Sequence, residues 1–280
     1  MREDDIESLR AEVRQQMDDL NRSLAAIEYR AVPLAEGDEI GALIAALRPE
    51  AGARPLIRLG GTGDGGYLVP DDLDGVVTCF SPGVSDRAEF DLALADRGAR
   101  VFLADASVDG PPVSHPRFRF EKRFLGDALQ PGRIRLADWV AANADPADSE
   151  MLLQMDIEGD EYRVLLDTPP SLLRRFRILV IEFHDLGSLL HGATLRFHRH
   201  LFARLLRDFA VVHIHPNNAT PVARFGGIEI PEVMEFTFHR RDRHLPSGRR
   251  LEFPHPLDSA NLDSRPDLVL PACWRPAEIS

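Results

Sequence analysis

Apolar residues recur through residues 1–30 at Ile6, Leu9, Val13, Met17, Leu20, Leu24 and Ile27, in steps of three or four. That seam predicts a helix close to a heptad with one stutter, ending by Pro33. So narrow a stripe has little to bury it within its own chain. It predicts a coiled-coil contact with a second copy or a partner, the alternative being a helix laid on its own domain. Gly37 to Leu47 predicts a second helix with Ile40, Leu43, Ile44 and Leu47 on one face. The pattern then changes to IRLGGTGDGGYLVPDDL, from Ile57 to Leu73, with glycines at 60, 61, 63, 65 and 66. Tyr67 to Val69 reads as an edge strand ending at Pro70. The stretch is either a β-hairpin ahead of the core or a loop that lets backbone approach a ligand, with Asp64 and Tyr67 as polar contacts.

Short apolar runs then alternate with helical patterns. The predicted strands are Val76–Phe80, Val101–Leu103, Phe118–Phe124, Met151–Met155, Ile178–Phe183, Ala210–His215 and Glu232–His239. The predicted helices are Arg87–Arg97, Ile134–Ala141, Glu161–Asp167, Leu172–Phe176 and Thr194–Phe209, the last with Phe197, Leu201, Leu205 and Phe209 inward. The order βαβ repeats, so the sheet is mostly parallel with right-handed crossovers and helices on both faces. The seventh run alternates apolar and polar, which suits an antiparallel partner. The fold class is therefore α/β, a Rossmann-like sheet of seven strands. Three parts follow: an N-terminal helix over 1–32, a domain over 33–250 and an extended tail over 251–280.

Two strands end abruptly in polar residues. MLLQMDIEGDEY, Met151 to Tyr162, delivers Asp156 to the carboxyl edge of the sheet, where open α/β folds hold ligands. ILVIEFH, Ile178 to His184, delivers Glu182 and His184, two apart and so expected on one strand face. AVVHIH adds His213 and His215, and Asn217 and Asn218 follow as substrate or turn residues. Glu158 and Glu161 read as helix-start acids favoured by the helix dipole. His191, His198 and His200 read as helix-surface residues. Asp105, closing the second strand, stands where a carboxylate accepts both hydroxyl protons of a ribose.

Composition narrows the classes. A net charge of -12 argues against a general nucleic-acid or anionic-membrane surface. Cys79 and Cys273 have no metal-ligand spacing and fit free thiols in a reducing cytosol. No signal peptide or long uncharged apolar run stands out, which predicts a cytoplasmic protein without membrane insertion.

The pieces RLGGTGDGGYLVPDDL, FSPGVSDRAEFDLALADRGARVFLAD, LLQMDIEGDEYRVL, LVIEFHDL, HIHPNN and EVMEFTF run in order from about Ile57 to Phe238. Together they resemble the FkbM-type methyltransferases, a family with the class I fold that uses S-adenosylmethionine. The resemblance implies methyl transfer, usually to oxygen and often on a sugar, glycan or natural product. It implies Ser81, Gly83 and Asp86 at the methionine end of the cofactor, Asp105 at the ribose, and Phe124 and Leu125 near the adenine. Pro82 replaces a glycine frequent in the family, which removes one backbone donor. A hydroxyl acceptor needs a route for its proton, through a base or a bound ion. The base candidates are His184, His215 and Asp156. The ion candidates, Asp156, Glu182 and His184, suit Mg or Mn. An N- or carboxyl-directed methyltransferase, a nucleotide-linked oxidoreductase and a non-catalytic scaffold are the rival readings.

Overall fold

A computed structural model describes residues 3–25 and 34–276 of the chain. Seven strands form the central sheet: β1 (Thr78–Pro82), β2 (Arg100–Ala104), β3 (Phe118–Glu121), β4 (Met151–Met155), β5 (Phe176–Phe183), β6 (Phe209–Pro216) and β7 (Met234–Arg240). Their order is β6-β7-β5-β4-β1-β2-β3. β7 runs antiparallel between β5 and β6, and the pairs from β5 to β3 are parallel. This is the Rossmann-like α/β sheet that the alternation predicts. The winding reverses between β1 and β4, which opens a crevice at their carboxyl ends.

The helices are α1 (Glu3–Ala25), α2 (Gly37–Leu47), α3 (Glu89–Asp96), α4 (Leu136–Asn143), α5 (Glu161–Asp167), α6 (Pro170–Leu173) and α7 (Gly192–Asp208). Strand alternation divides the core in two. Phe80, Phe102, Leu153, Ile181 and Phe236 point to one face, where α2, α4, α5 and α7 bury Ile40, Trp139, Val164 and Leu201 against them. Cys79, Val101, Leu152, Ile178 and Val180 point to the other, under α3 and an antiparallel hairpin, Leu56–Leu59 with Tyr67–Pro70. Among the described residues that second face carries one helix, and the hairpin and the tail do the rest of the covering.

The hairpin is why polar side chains stand on the second face. In the row Asp156, Glu182, Glu235 and His215, the last three are direct partners across β5, β7 and β6. Two residues further back lie Gln154, Val180, Thr237 and His213. Thr237 donates its hydroxyl to the Leu68 carbonyl at 2.6 Å, fixing the hairpin over this row. The tail over 251–276 also returns here, with Leu270 and Trp274 buried in the first core and Asp258, Asn261 and Asp267 reaching the polar row.

Helix α7 starts at Gly192 and turns differently from expectation. Phe197 is exposed, and the inward positions are Leu195, His198, Leu201, Phe202 and Leu205. His198 is thus a core residue, not a surface one. Its Nδ1 lies 2.9 Å from the Thr194 carbonyl and its ring meets Tyr162 edge-on. A phase set by one aromatic was misleading, because Phe197 and His198 compete for the same stripe. In α1, the seam residues Leu9, Val13 and Leu20 are exposed. Ile27 and Pro33 lie outside the described residues. No helix among the described residues is long and apolar enough to cross a membrane.

Candidate active site

The crevice between β1 and β4 begins at a tight turn. After Pro82 the chain enters Gly83 at φ 89° and packs it directly on the carbonyl of Asp156. Only glycine fits there, because any Cβ would overlap that oxygen. Ser85 also has positive φ. The turn is held by Asp105, whose Oδ2 accepts the N–H groups of Val84 and Ser85, each at 3.1 Å. Its Oδ1 accepts the N–H and the hydroxyl of Ser107. Burial works to raise the Asp105 pKa, but these bonds hold its carboxyl below the usual range. The residue expected to hold a ribose therefore spends its acceptors on its own loop.

Above the turn lies a small cavity of about 50 Å³. Asp64, Tyr67, Gly83, Asp86, Asp91 and Asp156 are among its walls. The glycine-rich tip of the hairpin closes it. Arg87 packs against Gly65, and its guanidinium faces the Asp64 carboxylate at 4.0 Å. Ser81 is buried, donating to Gln154 Oε1 at 2.7 Å, and does not line the cavity. Leu125 belongs to the core, while Phe124 is exposed with the Arg133 guanidinium over its ring. Of the expected cofactor residues, the structure brings Gly83 and Asp86 to the cavity and leaves Ser81, Asp105, Phe124 and Leu125 off its walls.

Two acids of this cavity have a buried oxygen with no hydrogen-bond partner: Asp91 Oδ1 and Asp156 Oδ1. Burial pushes Asp91 up to about 7. Burial first, then the nearby Glu158 and Glu161 charges, push Asp156 to about 7 against the opposing pull of His184. Tyr67 lies over the same group, its hydroxyl 3.4 Å from Gln154 Nε2. Burial and the charges of Asp156, Glu182 and Glu235 raise its pKa well above the usual value. Such acids are poised to receive a proton or a cation.

His184 sits beside Asp156 but not as the alternation expects. β5 ends at Phe183 and Asp185 takes positive φ, so the His184 ring turns toward the start of α5. Its Nδ1 faces Glu161 Oε1 at 3.1 Å, and its Nε2 lies 3.3 Å from Glu158 and 3.8 Å from Asp156. Burial lowers its pKa, but the Glu161 bond and the three carboxylates outweigh this and raise it. Glu161 is fully buried, and the same Oε1 accepts the N–H groups of Ile157 and Gly159. Its Oε2 has no hydrogen-bond partner. Asp156, Glu161 and His184 each offer one ligand atom, all within 4.8 Å of one another.

Glu182 is not in that group, which corrects the expected ligand set. It stays in the polar row, accepting from Asn217 Nδ2 at 2.9 Å and pairing in register with Glu235. Burial and the Asp156 and Glu235 charges raise its pKa well above the carboxylate range. Its carboxyl is thus engaged away from the His184 group. His215 is likewise unsuited to be a base. Its Nε2 faces Asp267 at 3.2 Å and its Nδ1 faces Glu235 at 3.6 Å. Burial opposes its charge, but the two acids win and push it up to about 10, so the ring is already protonated. His213 is the opposite case: burial and the His215 charge push it down to about 3, with Nε2 2.8 Å from Asp258. Asn218 is structural, its amide nitrogen donating to the Leu262 and Arg265 carbonyls and its oxygen accepting from Leu262 N–H.

Sequence reasoning missed Glu161 as a site residue and assigned no role to Gln154, Asp91 and Glu235. Glu161 looks like any helix-start acid, because its partner His184 is distant in sequence. The alternation of EVMEFTFH did signal that Glu235 shares a face with Thr237 and His239.

No protein-family model matches the chain, and no curated protein matches it. Solved structures similar to it include the 23S rRNA methyltransferase ErmE, at 12% identity and TM-score 0.35, covering 77% of this chain and 72% of that one. TrmN from Thermus thermophilus gives 15% identity and TM-score 0.30, covering 60% of this chain and 45% of that one. The mitomycin 7-O-methyltransferase MmcR gives 14% identity and TM-score 0.29, covering 72% and 54%. The chain thus spans about half of the latter two. At these scores the likeness carries nothing about chemistry or substrate.

Proposed function

We propose that this chain is an S-adenosylmethionine-dependent O-methyltransferase of the FkbM type, acting on a hydroxyl of a sugar, glycan or natural product. The observation that carries the reading is the crevice at the β1/β4 reversal. There the acids Asp91 and Asp156 each keep a buried, unpartnered oxygen in one cavity, and His184 stands next to Asp156. When bound, the cofactor supplies an electrophilic methyl carbon on a sulfonium. Its cationic methionine end fits that donor set, with Gly83, Asp86, Asp91 and Asp156 as its neighbours. Asp105 acts by shaping the turn and not by holding the ribose. A cavity of about 50 Å³ is far below the roughly 300 Å³ of a small-molecule pocket. Donor entry therefore requires the hairpin tip to swing off Arg87 and to release the Gly63 N–H from the Ser259 hydroxyl.

His184 takes the proton of the acceptor hydroxyl at Nε2. Glu161 acts through it as a positioning residue, holding Nδ1 and favouring the protonated ring. Activity then requires the neutral ring, so it rises with pH as His184 deprotonates. Since the carboxylate raises that pKa, Glu161→Gln moves the rising limb of the kcat/KM profile to lower pH. An unmoved limb would remove Glu161 from this role.

As the alternative to a free base, Asp156, Glu161 and His184 suit a divalent ion, His184 then being a ligand and not the proton acceptor. A site of two oxygens and one imidazole favours Mn over Mg. In that case EDTA abolishes activity and Mn restores it; full activity in chelator removes the ion. The exposed seam of α1 supports self-association, so deleting residues 1–30 should lower the mass measured by light scattering to that of a single shortened chain.

Calorimetry with S-adenosylhomocysteine tests the whole reading. Tight binding to the chain, weakened in Asp91→Asn and Asp156→Asn, is expected. No binding, or binding of NAD in its place, overturns it.

A further inference from the structure

The opposite edge of the sheet holds a larger cavity, of about 260 Å³. It lies at the open end of the hairpin, beside Leu56 and Pro70, whereas Tyr67 and the candidate active site lie at the other end. His239 marks its position in the sheet. It is four residues past Glu235 on β7, or about 13 Å at 3.3 Å per residue. Apolar walls come from Leu56, Pro70, Val212, Leu251 and Pro256. The cationic and imidazole side chains on it are Arg54, His239, His244, Arg249, Arg250 and His255, against one acid, Glu252.

The feature that points to a ligand is His244. It is 5% exposed, and neither ring nitrogen has a hydrogen-bond partner. Its Nε2 stands 3.7 Å from a Glu50 oxygen, and its ring edge packs against Gly52, where an added Cβ would come within 3.2 Å. A buried imidazole left in this state is destabilising unless something else bonds to it. Glu50 faces it without a hydrogen bond and accepts from Arg241 through its other oxygen. Asp72, beside His239, is already committed. It binds Arg243 through both oxygens and also meets His239, Arg177 and Arg54. The Arg249 guanidinium, by contrast, has no partner among the described residues, its backbone N–H alone being bonded to Ser247.

We propose that this cavity is a second binding site, for a small molecule bearing an oxyanion and a short apolar body. The oxyanion meets His244 and Arg249, and the apolar part lies against Leu56, Pro70 and Val212. A planar or tetrahedral oxyanion accepts from an arginine fork and an imidazole N–H together, and such charge-assisted bonds are about twice as strong as neutral ones. The site is separate from the crevice at β1 and β4 and does not rest on the methyltransferase reading.

Inorganic phosphate is the simplest probe. Calorimetry on the full chain should show one saturable site with Kd of about 1 mM, equivalent to about 4 kcal/mol. Arg249→Gln, an exposed change that leaves the fold intact, should weaken it at least about tenfold, the effect of losing about 1.4 kcal/mol. His244→Gln should do the same, with its folding checked by circular dichroism. Asp156→Asn, at the other edge, should leave it unchanged. Absence of saturable binding, or equal binding by the wild type and Arg249→Gln, overturns the site. Loss of binding in Asp156→Asn with Arg249→Gln unaffected would place the phosphate in the candidate active site and overturn it equally.

Discussion

His184→Gln is expected to lower kcat for methyl transfer to a hydroxyl acceptor by roughly 100- to 10,000-fold, the range seen for losing a positioned general base. The reason is geometric. His184 is the one imidazole of the group whose Nε2 faces the crevice acids while its Nδ1 is held by a buried carboxylate. Glutamine keeps a polar side chain there but cannot accept and carry a proton. Affinity for S-adenosylhomocysteine should not change, because the lost interaction belongs to the transition state. The rising limb of the pH profile should disappear with it. His215→Gln is the control. That ring is already protonated between Asp267 and Glu235, so its loss should destabilise the tail and leave the limb in place. A His184→Gln enzyme with near wild-type kcat, or a limb that vanishes only in His215→Gln, would reverse the assignment.

Gly83→Ala should be the most damaging small substitution in the chain. Two costs add. The residue has φ 89°, a conformation that costs an alanine about 1–2 kcal/mol. The added Cβ also overlaps the Asp156 carbonyl, so β1 or β4 must move at the point where Asp156 N–H donates to the Pro82 carbonyl. A total above about 4 kcal/mol is in the range of severe backbone and packing lesions. At about 2–4 °C per kcal/mol for a chain of this size, the melting temperature should fall by roughly 8–16 °C. Gly98→Ala separates the two costs. Gly98 has φ 100° but nothing within 4 Å of an added Cβ, so it should show the conformational part alone. Similar melting of Gly83→Ala and the wild type would refute the close approach.

Much of this arrangement is legible in the residues themselves. The runs VVTCF, MLLQM, ILVIEF and AVVHIH are apolar but for one or two polar residues each, which in a 280-residue chain leaves few options besides strands buried on both faces. Their alternation with helical patterns sets the parallel order, and the abrupt acids after Met155 mark the edge that carries polar groups. What stayed hidden was direction. Glu182 and His184 have the right spacing to share a face, yet the strand ends between them and the two side chains diverge. Glu161 has the pattern of a helix-start acid and is one, but it also holds a histidine 23 positions away. His215 looks like a base until the tail returns and places Asp267 against it.

The amino-acid order by itself determined the sheet, its strand sequence and the edge where charged residues gather, because hydrophobic periodicity is a local property that burial must obey. The tertiary structure alone decided which of those charges are free to act. Asp105, Asn218 and His215 are consumed by partners far along the chain, while Asp91, Asp156, Glu161 and His244 keep buried atoms with unmet hydrogen-bonding capacity. Satisfaction of a polar group depends on every neighbour within about 3 Å, whatever its position in the sequence, and that neighbourhood exists only once the chain has folded.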